Sequence, residues 1–146
     1  MIRDARVDEC DALSELAYAS KASWGYDDAF MAACRDELTV YPADLERVRV
    51  RVAVDDAGRI EGFAGLDGDE LIWLFVAPAQ LRTGVGAALF ADACAIARAK
   101  GVAQLRVEAD PFAAPFYERL GGVLQGEKPS GSVPGRVLPV YEFAVS

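Results

Sequence analysis

Two glycines at the start of a helical pattern, Gly84 and Gly86, are the residues best spaced for binding chemistry. An apolar run, residues 71–76, precedes them, and Arg82 and Thr83 lie beside them. The first turn of a helix has backbone N–H groups without partners and carries the positive end of the helix dipole. Glycines let a phosphate approach that backbone closely. The segment therefore predicts an anion-binding loop, although glycines that only ease the packing of the helix on the strand would give the same pattern.

The spacing of this loop separates it from two common nucleotide-binding motifs. A dinucleotide fingerprint places G-x-G-x-x-G directly after the strand, whereas seven residues lie between Val76 and Gly84, and Leu89 replaces the third glycine. A P-loop requires G-x-x-x-x-G-K-[ST], which the chain lacks. Glu108 lies where a ribose-binding carboxylate would follow, so a nucleotide-binding module remains an alternative.

The chain contains no histidine, which excludes Ser-His-Asp and Cys-His catalysis and removes the commonest metal ligand. A general base must then be a carboxylate, a water held by one, or an unusual lysine, tyrosine or cysteine. Cys10, Cys34 and Cys94 form no C-x-x-C pair, and no metal site is predicted. The odd count and the lack of an export signal favour reduced thiols and a cytoplasmic protein.

Length and composition predict one globular domain over residues 1–146. Hydrophobic residues make up 53% of the chain and charged residues 26%, and no apolar run approaches the ~20 residues needed to cross a bilayer. The net charge of −8 argues against nucleic-acid and anionic-membrane partners. The same charge favours a cationic substrate, or serves solubility alone.

Apolar periodicity predicts the element order β-α-α-β-β-β-α-β-α-β-β. Asp8 is expected to cap the first helix, and a second helix is predicted over residues 27–38. The alternation over residues 48–54 predicts a half-buried strand, and the continuous apolar run at residues 71–76 predicts a strand buried on both faces. These elements imply a mixed α/β sheet with helices on both faces.

The helix that follows the fifth predicted strand carries a second motif. It reads A-A-P-F-Y-E-R-L-G from Ala113 to Gly121, which resembles the A-x-x-F-Y-x-x-x-G motif of the GNAT acyltransferase superfamily. Residues 81–86 resemble the [QR]-x-x-G-x-[GA] signature of that family, and the element order is similar over nearly the whole chain. Two weak motifs at the right spacing, on the right elements, together identify the chain as a GNAT-like protein.

Three positions need comment against the family pattern. Leu81 replaces the signature glutamine or arginine, but the family's pyrophosphate contacts are mainly backbone N–H groups, so we expect binding to survive. Asp110 replaces the asparagine often found after the fifth strand, and its carboxylate can still accept from a pantetheine amide. Pro115 must lie in the first turn of the motif helix to be tolerated there.

The resemblance implies a GNAT fold, with a mixed, mostly antiparallel sheet of six to seven strands and helices on both faces. It also implies acetyl-CoA as cosubstrate, with no metal. The pyrophosphate would bind the loop N–H groups, and the pantetheine arm would lie where the fourth and fifth strands splay apart. The cofactor-binding residues implied are Phe75, Val76, Ala77, Arg82, Thr83, Gly84, Val85, Gly86, Ala87, Asp110 and Tyr117.

The chemistry implied is direct attack of an amine on the thioester, with Tyr117 facing the sulfur. A thiol pKa of about 8.5 and a tyrosine pKa of about 10 suit Tyr117 as donor to the leaving thiolate. Glu70 is the first candidate for the general base and Glu108 the second. Backbone N–H groups at a strand bulge near Phe75 and Val76 are expected to polarise the carbonyl. As alternatives, Tyr117 only anchors the last helix and both carboxylates lie exposed on the surface.

The acceptor site is expected between the first two helices, where GNAT enzymes build it. Trp24, Tyr26 and Asp27 are the candidate substrate-binding residues there, and the aromatic rings would form a wall for a cationic group. Arg136, in the last loop, is expected to bind an acceptor carboxylate. The alternatives are that Trp24 caps the core and that Arg136 pairs with the acidic surface.

The sequence thus predicts an N-acetyltransferase acting on a primary amine of a small molecule, an amino acid or a peptide. The partner expected is that amine, with no nucleic acid and no membrane, and the protein is expected to be a monomer or a homodimer. A CoA-binding regulator of the same fold, without turnover, is the alternative.

Overall fold

A computed structural model describes residues 1–145, and its elements follow the predicted order. The strands are β1 (Ile2–Asp4), β2 (Arg49–Val54), β3 (Ile60–Asp67), β4 (Glu70–Val76), β5 (Gln104–Glu108), β6 (Val123–Pro129) and β7 (Val137–Ala144). The helices are α1 (Cys10–Ala22), α2 (Asp28–Cys34), α3 (Val85–Ala99) and α4 (Ala114–Arg119). Short 3-10 turns lie at Val7–Glu9, Pro42–Glu46, Pro78–Gln80 and Pro111–Ala113.

Within the described residues the strands form one seven-stranded sheet in the order β1-β2-β3-β4-β5-β7-β6. Neighbouring strands are antiparallel, except that β4 and β5 are parallel. α3 connects these two strands, because a parallel pair needs a crossover rather than a hairpin. The predicted mixed, mostly antiparallel sheet is therefore confirmed.

Helices bury both faces of the sheet. One apolar core includes Leu89 of α3 and Tyr117 of α4, and the other includes Leu13 of α1 and Cys34 of α2. Because α3 covers the second face of β2, Ala53 is buried there as well. The half-buried pattern predicted for β2 is correct for its valines but underestimates the burial of the opposite face.

Two helix boundaries differ from the predictions. The chain enters α1 through the turn Val7–Glu9, and the Glu9 carboxylate accepts from the Arg6 N–H at 2.8 Å, so Asp8 is not the cap. α2 ends at Cys34, and residues 35–38 continue as turns. In the described chain, no helix combines the length and apolar character needed to span a membrane.

β4 is less buried than its apolar sequence predicts. Of its residues, only Leu71 is buried, and the others are half-buried. The reason is that β4 loses its neighbour β5 after one paired position, so its remaining length lines an open cleft. The prediction of a strand buried on both faces is wrong, and the apolar side chains left half-buried belong to the wall of the site.

Candidate active site

The separation of β4 from β5 forms the cleft. Among the described residues, Glu70 and Arg106 are the one paired position of these parallel strands, and the Arg106 N–H donates to the Asp69 carbonyl at 2.8 Å. Further along, β5 stays with β7, where the Ala109 N–H donates to the Pro139 carbonyl at 2.9 Å. The cleft has a volume of about 860 Å³, which is typical of a small-molecule site.

The loop before α3 contains two left-handed residues. Arg82 has a φ of 64° and Gly84 a φ of 93°, and the Thr83 hydroxyl donates to the Gln80 carbonyl at 2.6 Å. A left-handed conformation is unfavourable for a residue with a side chain, and such strain concentrates at ligand-binding sites. Left-handed residues also turn successive N–H groups toward one side, which is the backbone arrangement of many anion sites.

Six backbone N–H groups, from Arg82 to Ala87, have no hydrogen-bond acceptor in the part of the chain that the structure describes. The last three of these belong to the first turn of α3, where no partner exists within the helix. The Ala88 N–H is the first to be satisfied and donates to the Gly84 carbonyl at 3.0 Å. This row of donors at the positive end of a 15-residue helix fits a pyrophosphate.

Packing alone does not account for the two glycines. A Cβ added at Gly84 would meet nothing within 4 Å, so the left-handed backbone is what requires glycine there. A Cβ at Gly86 would lie 3.4 Å from the Phe116 ring and from a Val76 methyl, at the near limit of ordinary contact. Close packing therefore explains Gly86 in part and Gly84 not at all.

Most of the predicted cofactor-binding residues line the cleft. Those that do are Phe75, Val76, Arg82, Gly84, Gly86, Ala87, Asp110 and Tyr117, and those that do not are Ala77, Thr83 and Val85.

The strand bulge lies elsewhere than predicted. The register between β3 and β4 shifts opposite Ile72, because Gly65 pairs with Trp73 and Leu66 pairs with Leu71. The bulge is therefore at Ile72, not near Phe75 and Val76.

Tyr117 is buried against aromatic neighbours and also lines the cleft. Its side chain is 6% exposed, and its ring packs with those of Phe90, Phe116 and Tyr141. Within residues 1–145 its hydroxyl has no hydrogen-bond partner. Burial, and then the charge of Asp110, raise the pKa of Tyr117, so the hydroxyl stays protonated at neutral pH. The ring anchors α4 while the hydroxyl remains available as a donor.

Glu70 and Glu108 face each other at the foot of the cleft. Burial, and then the Glu108 charge, raise the pKa of Glu70. Burial also acts to raise the pKa of Glu108, but hydrogen bonds from Lys128 and Arg106 outweigh it, and the pKa of Glu108 is lowered. The Glu108 carboxylate lies 3.0 Å from Lys128 Nζ and 3.0 Å from Arg106 Nη2. Glu70 is thus the more basic of the two and the stronger candidate for the general base.

The Asp110 carboxylate has partners other than the predicted pantetheine amide. It accepts from the Phe112 N–H at 2.9 Å, the Tyr26 hydroxyl at 2.9 Å, Lys21 Nζ at 3.2 Å and Arg136 Nη2 at 3.0 Å. Both carboxylate oxygens are occupied by these protein donors. We call Lys21, Tyr26, Asp110 and Arg136 the acceptor-side cluster.

The predicted acceptor residues fall into two groups. Tyr26 and Arg136 belong to the acceptor-side cluster, and Trp24, 39% exposed, lines the cleft and stacks on Phe112 with ring centroids 5.5 Å apart. Trp24 therefore does not cap the core. Asp27 caps α2 by accepting from the Phe30 N–H at 2.8 Å and is not brought to the cleft.

The aromatic wall holds cations of the chain itself. Tyr26 and Phe30 stack with centroids 3.9 Å apart, and Lys21 and Arg136 lie within 6 Å of both rings. The predicted wall consisted of Trp24 and Tyr26. The Tyr26 ring lies beside two basic side chains of the protein itself, whereas the Trp24 ring lines the cleft.

Lys21 is the functional candidate that the sequence interpretation missed. It is buried, on the same face of α1 as Cys10, Leu13 and Ala17. Most lysines are exposed. The position of Lys21 within the apolar stripe of the first helix could therefore have indicated, from the sequence alone, a lysine whose charge has a buried partner.

Comparison with known proteins gives the family. Residues 29–129 match the model of the acetyltransferase (GNAT) domain. Because this match covers more than half of the chain, the chain belongs to the GNAT family of acetyltransferases and is an acyltransferase. Acetyl transfer is the activity of that family. No curated protein matches the sequence.

Solved structures share the fold at low sequence identity. A GCN5-related N-acetyltransferase from Rhodopseudomonas palustris has a TM-score of 0.85 and 23% identity, over 99% of this chain and 94% of the other. PaiA N-acetyltransferase from Thermoplasma acidophilum, in complex with coenzyme A, has a TM-score of 0.77 and 19% identity, over 99% and 98% of the two chains. YncA from Salmonella typhimurium, with acetyl-CoA, has a TM-score of 0.69 and 21% identity, over 100% and 94%.

Proposed function

We propose that the protein transfers an acetyl group from acetyl-CoA to a primary amine by direct attack. The observation that carries the proposal is the row of unsatisfied N–H groups from Arg82 to Ala87, placed at the edge of a cleft that also contains Tyr117. The row of N–H groups fits the pyrophosphate of acetyl-CoA, and Tyr117 is a protonated donor inside the same cleft. Two neighbours of the same fold bind coenzyme A or acetyl-CoA.

The residues would divide the work of the reaction as follows. The amine nitrogen attacks the thioester carbon, a C–N bond forms, the C–S bond breaks, and the proton lost by nitrogen balances the one gained by sulfur. Tyr117 donates to the departing sulfur. Burial raises its pKa and so makes it a weaker acid than free tyrosine, and the proton is therefore expected to move only as negative charge develops on the sulfur. Only about one in 10³ molecules of an ordinary alkyl amine is neutral at pH 7, so a base is needed. Glu70, directly or through a water, accepts the proton from the amine.

The base role of Glu70 predicts a pH dependence. In the wild type, kcat/KM is expected to rise through the raised pKa of Glu70 as the carboxylate forms, and Glu70→Gln should remove that limb of the profile. A raised carboxyl pKa means that the folded state favours the protonated form of Glu70. Above this pKa the ionised carboxylate lowers the free energy of unfolding, and this loss of stability diminishes as the pH falls below it. Glu70→Gln should therefore also raise Tm at pH 7, by roughly 1–3 °C, and the difference should shrink in acid.

Glu108→Gln is the matched control for that prediction. The lowered pKa of Glu108 stabilises the fold above the ordinary carboxyl pKa and loses this effect as the pH falls, so the substitution should lower Tm at pH 7. If Glu108→Gln removes the limb of the rate profile and Glu70→Gln keeps it, the base is Glu108. If both variants keep it, neither carboxylate is the base.

A thiol-release assay over a panel of amines tests the proposed function. With acetyl-CoA present, at least one primary amine of a small molecule, amino acid or peptide is expected to release CoA thiol and to yield an N-acetylated product by mass spectrometry. Saturable acetyl-CoA binding without turnover of any amine would indicate a CoA-binding regulator instead.

We place the reaction in the cytoplasm, as the three free cysteines favour, and in a single domain acting as a monomer or a homodimer.

A further inference from the structure

We infer that the amine acceptor also carries a carboxylate, and that Lys21 and Arg136 of the acceptor-side cluster bind it. This inference rests on the proposed acetyl transfer and names the class of acceptor. Three features of the cluster support it: its charge, its unused hydrogen-bond donors, and its position in the cleft.

The acceptor-side cluster carries an excess positive charge. It contains two cations, Lys21 and Arg136, and one carboxylate, Asp110, with side chains only 11%, 14% and 15% exposed. Burial, and then Asp110, raise the pKa of Tyr26 to about 12, so its hydroxyl adds no charge at neutral pH. A largely buried positive charge is unfavourable without a partner. It is also unusual in a chain whose net charge is −8.

Lys21 and Arg136 both have N–H donors that are not used within the cluster. Arg136 uses Nη2 for both of its bonds in the cluster, to the Tyr26 hydroxyl at 2.7 Å and to Asp110 at 3.0 Å. In the part of the chain that is described, Nη1 and Nε of Arg136 have no acceptor, and Lys21 Nζ donates to Asp110 alone. Because Nη2 belongs to both two-nitrogen edges of the guanidinium, Arg136 offers a single N–H donor from Nη1 or from Nε, and this donor together with the Lys21 ammonium can bind a carboxylate.

The position of the cluster separates its ligand from the phosphates of CoA. Lys21, Asp110 and Arg136 all line the cleft that contains Tyr117. Lys21 comes from α1 and Arg136 from the segment before β7, whereas the pyrophosphate donors lie at the start of α3. The thioester and the pantetheine arm of CoA are uncharged, so the acceptor is the molecule expected to bring an anion to this side.

Amino acids and their uncharged counterparts give the direct test. The thiol-release assay would be run with the L-amino acids, their C-terminal amides and the matching amines that lack the carboxyl carbon. At least one amino acid is expected to have a kcat/KM roughly 100-fold above its own amide and its matching amine, since a site built to bind a charged group discriminates strongly against its absence.

Substitution of the two cations tests which residues are responsible. Lys21→Gln and Arg136→Gln each bring the cluster from one excess positive charge to none, while Asp110 keeps one cation. Each should raise KM for the amino acid by roughly 30-fold and leave KM for acetyl-CoA within about twofold. Arg59→Gln removes an arginine that is 81% exposed and pairs with Asp55 at a remote turn, and it should leave both constants unchanged.

Each outcome bears on the inference. Equal turnover of amino acids, amides and matching amines would overturn it and leave the proposed acetyl transfer standing. A preference for the carboxylate that survives both cluster substitutions would overturn the assignment to Lys21 and Arg136. Equal rises of KM for acetyl-CoA and for the amino acid would show a merely structural cluster. No turnover of any amine would overturn the proposed function, and this inference with it.

Discussion

Replacing Tyr117 by phenylalanine is expected to lower kcat by about 100-fold or more, the usual contribution of a positioned proton donor. The hydroxyl lines the cleft and stays protonated because burial raises its pKa. The ring contacts with Phe90, Phe116 and Tyr141 remain available to phenylalanine, so the fold should tolerate the change. Acetyl-CoA affinity, measured by calorimetry, should change by less than about threefold.

Tyr141→Phe is the matched control for Tyr117→Phe. Tyr141 is 1% exposed and donates its hydroxyl to Glu118 at 2.7 Å, but it does not line the cleft. Its loss should lower the free energy of unfolding by about 1 kcal/mol through the lost hydrogen bond and leave kcat within about threefold. An unchanged kcat for Tyr117→Phe would remove Tyr117 from the mechanism and leave it as the anchor of α4.

Replacing Ala87 by aspartate is expected to weaken acetyl-CoA binding on the order of 100-fold. Ala87 lies in the first turn of α3 and lines the cleft, so the new carboxylate would stand beside the bound pyrophosphate. One like charge about 5 Å away costs about 3 kcal/mol at the effective dielectric constant of a protein surface. An acidic residue in the first turn interacts favourably with the helix dipole, so Tm should hold or rise while binding is lost.

Ala88→Asp tests whether this effect depends on position. Ala88 is exposed and adjacent in sequence, but it is not among the residues that line the cleft. The same charge there should weaken acetyl-CoA binding by less than about tenfold, since successive side chains of a helix are turned by about 100° and Ala88 does not line the cleft. Equal losses for Ala87→Asp and Ala88→Asp would mean that the pyrophosphate does not bind at the first turn of α3.

The features that the sequence predicted well are local ones. The element order followed from the spacing of apolar residues, which the strands and helices of one sheet must obey. The unsatisfied N–H groups at the start of α3 followed from the helix start at Gly84 and Gly86, because the first turn of any helix leaves its N–H groups without partners. Pro115 lies in the first turn of α4, as the position of proline in a helix requires.

The features that it missed depend on distant parts of the chain. Lys21 and Asp110 are 89 positions apart, and Arg136 comes from another loop, so no spacing rule brings them together. Asp27 was assigned to the acceptor site because it follows Tyr26, but its carboxylate caps α2 instead. The apolar run of β4 alone predicted burial on both faces, whereas the divergence of β5 from β4 was implied only by the resemblance to the GNAT family.

Calorimetric titration of the wild-type protein with acetyl-CoA tests the central claim most directly, with NAD titrated in parallel. Saturable binding of acetyl-CoA at one site per chain, with a Kd below the millimolar range, is the predicted result, together with no binding of NAD in the same range. Saturable binding of NAD, or no binding of acetyl-CoA at submillimolar concentration, would contradict the assignment of the Arg82–Ala87 loop to the CoA pyrophosphate.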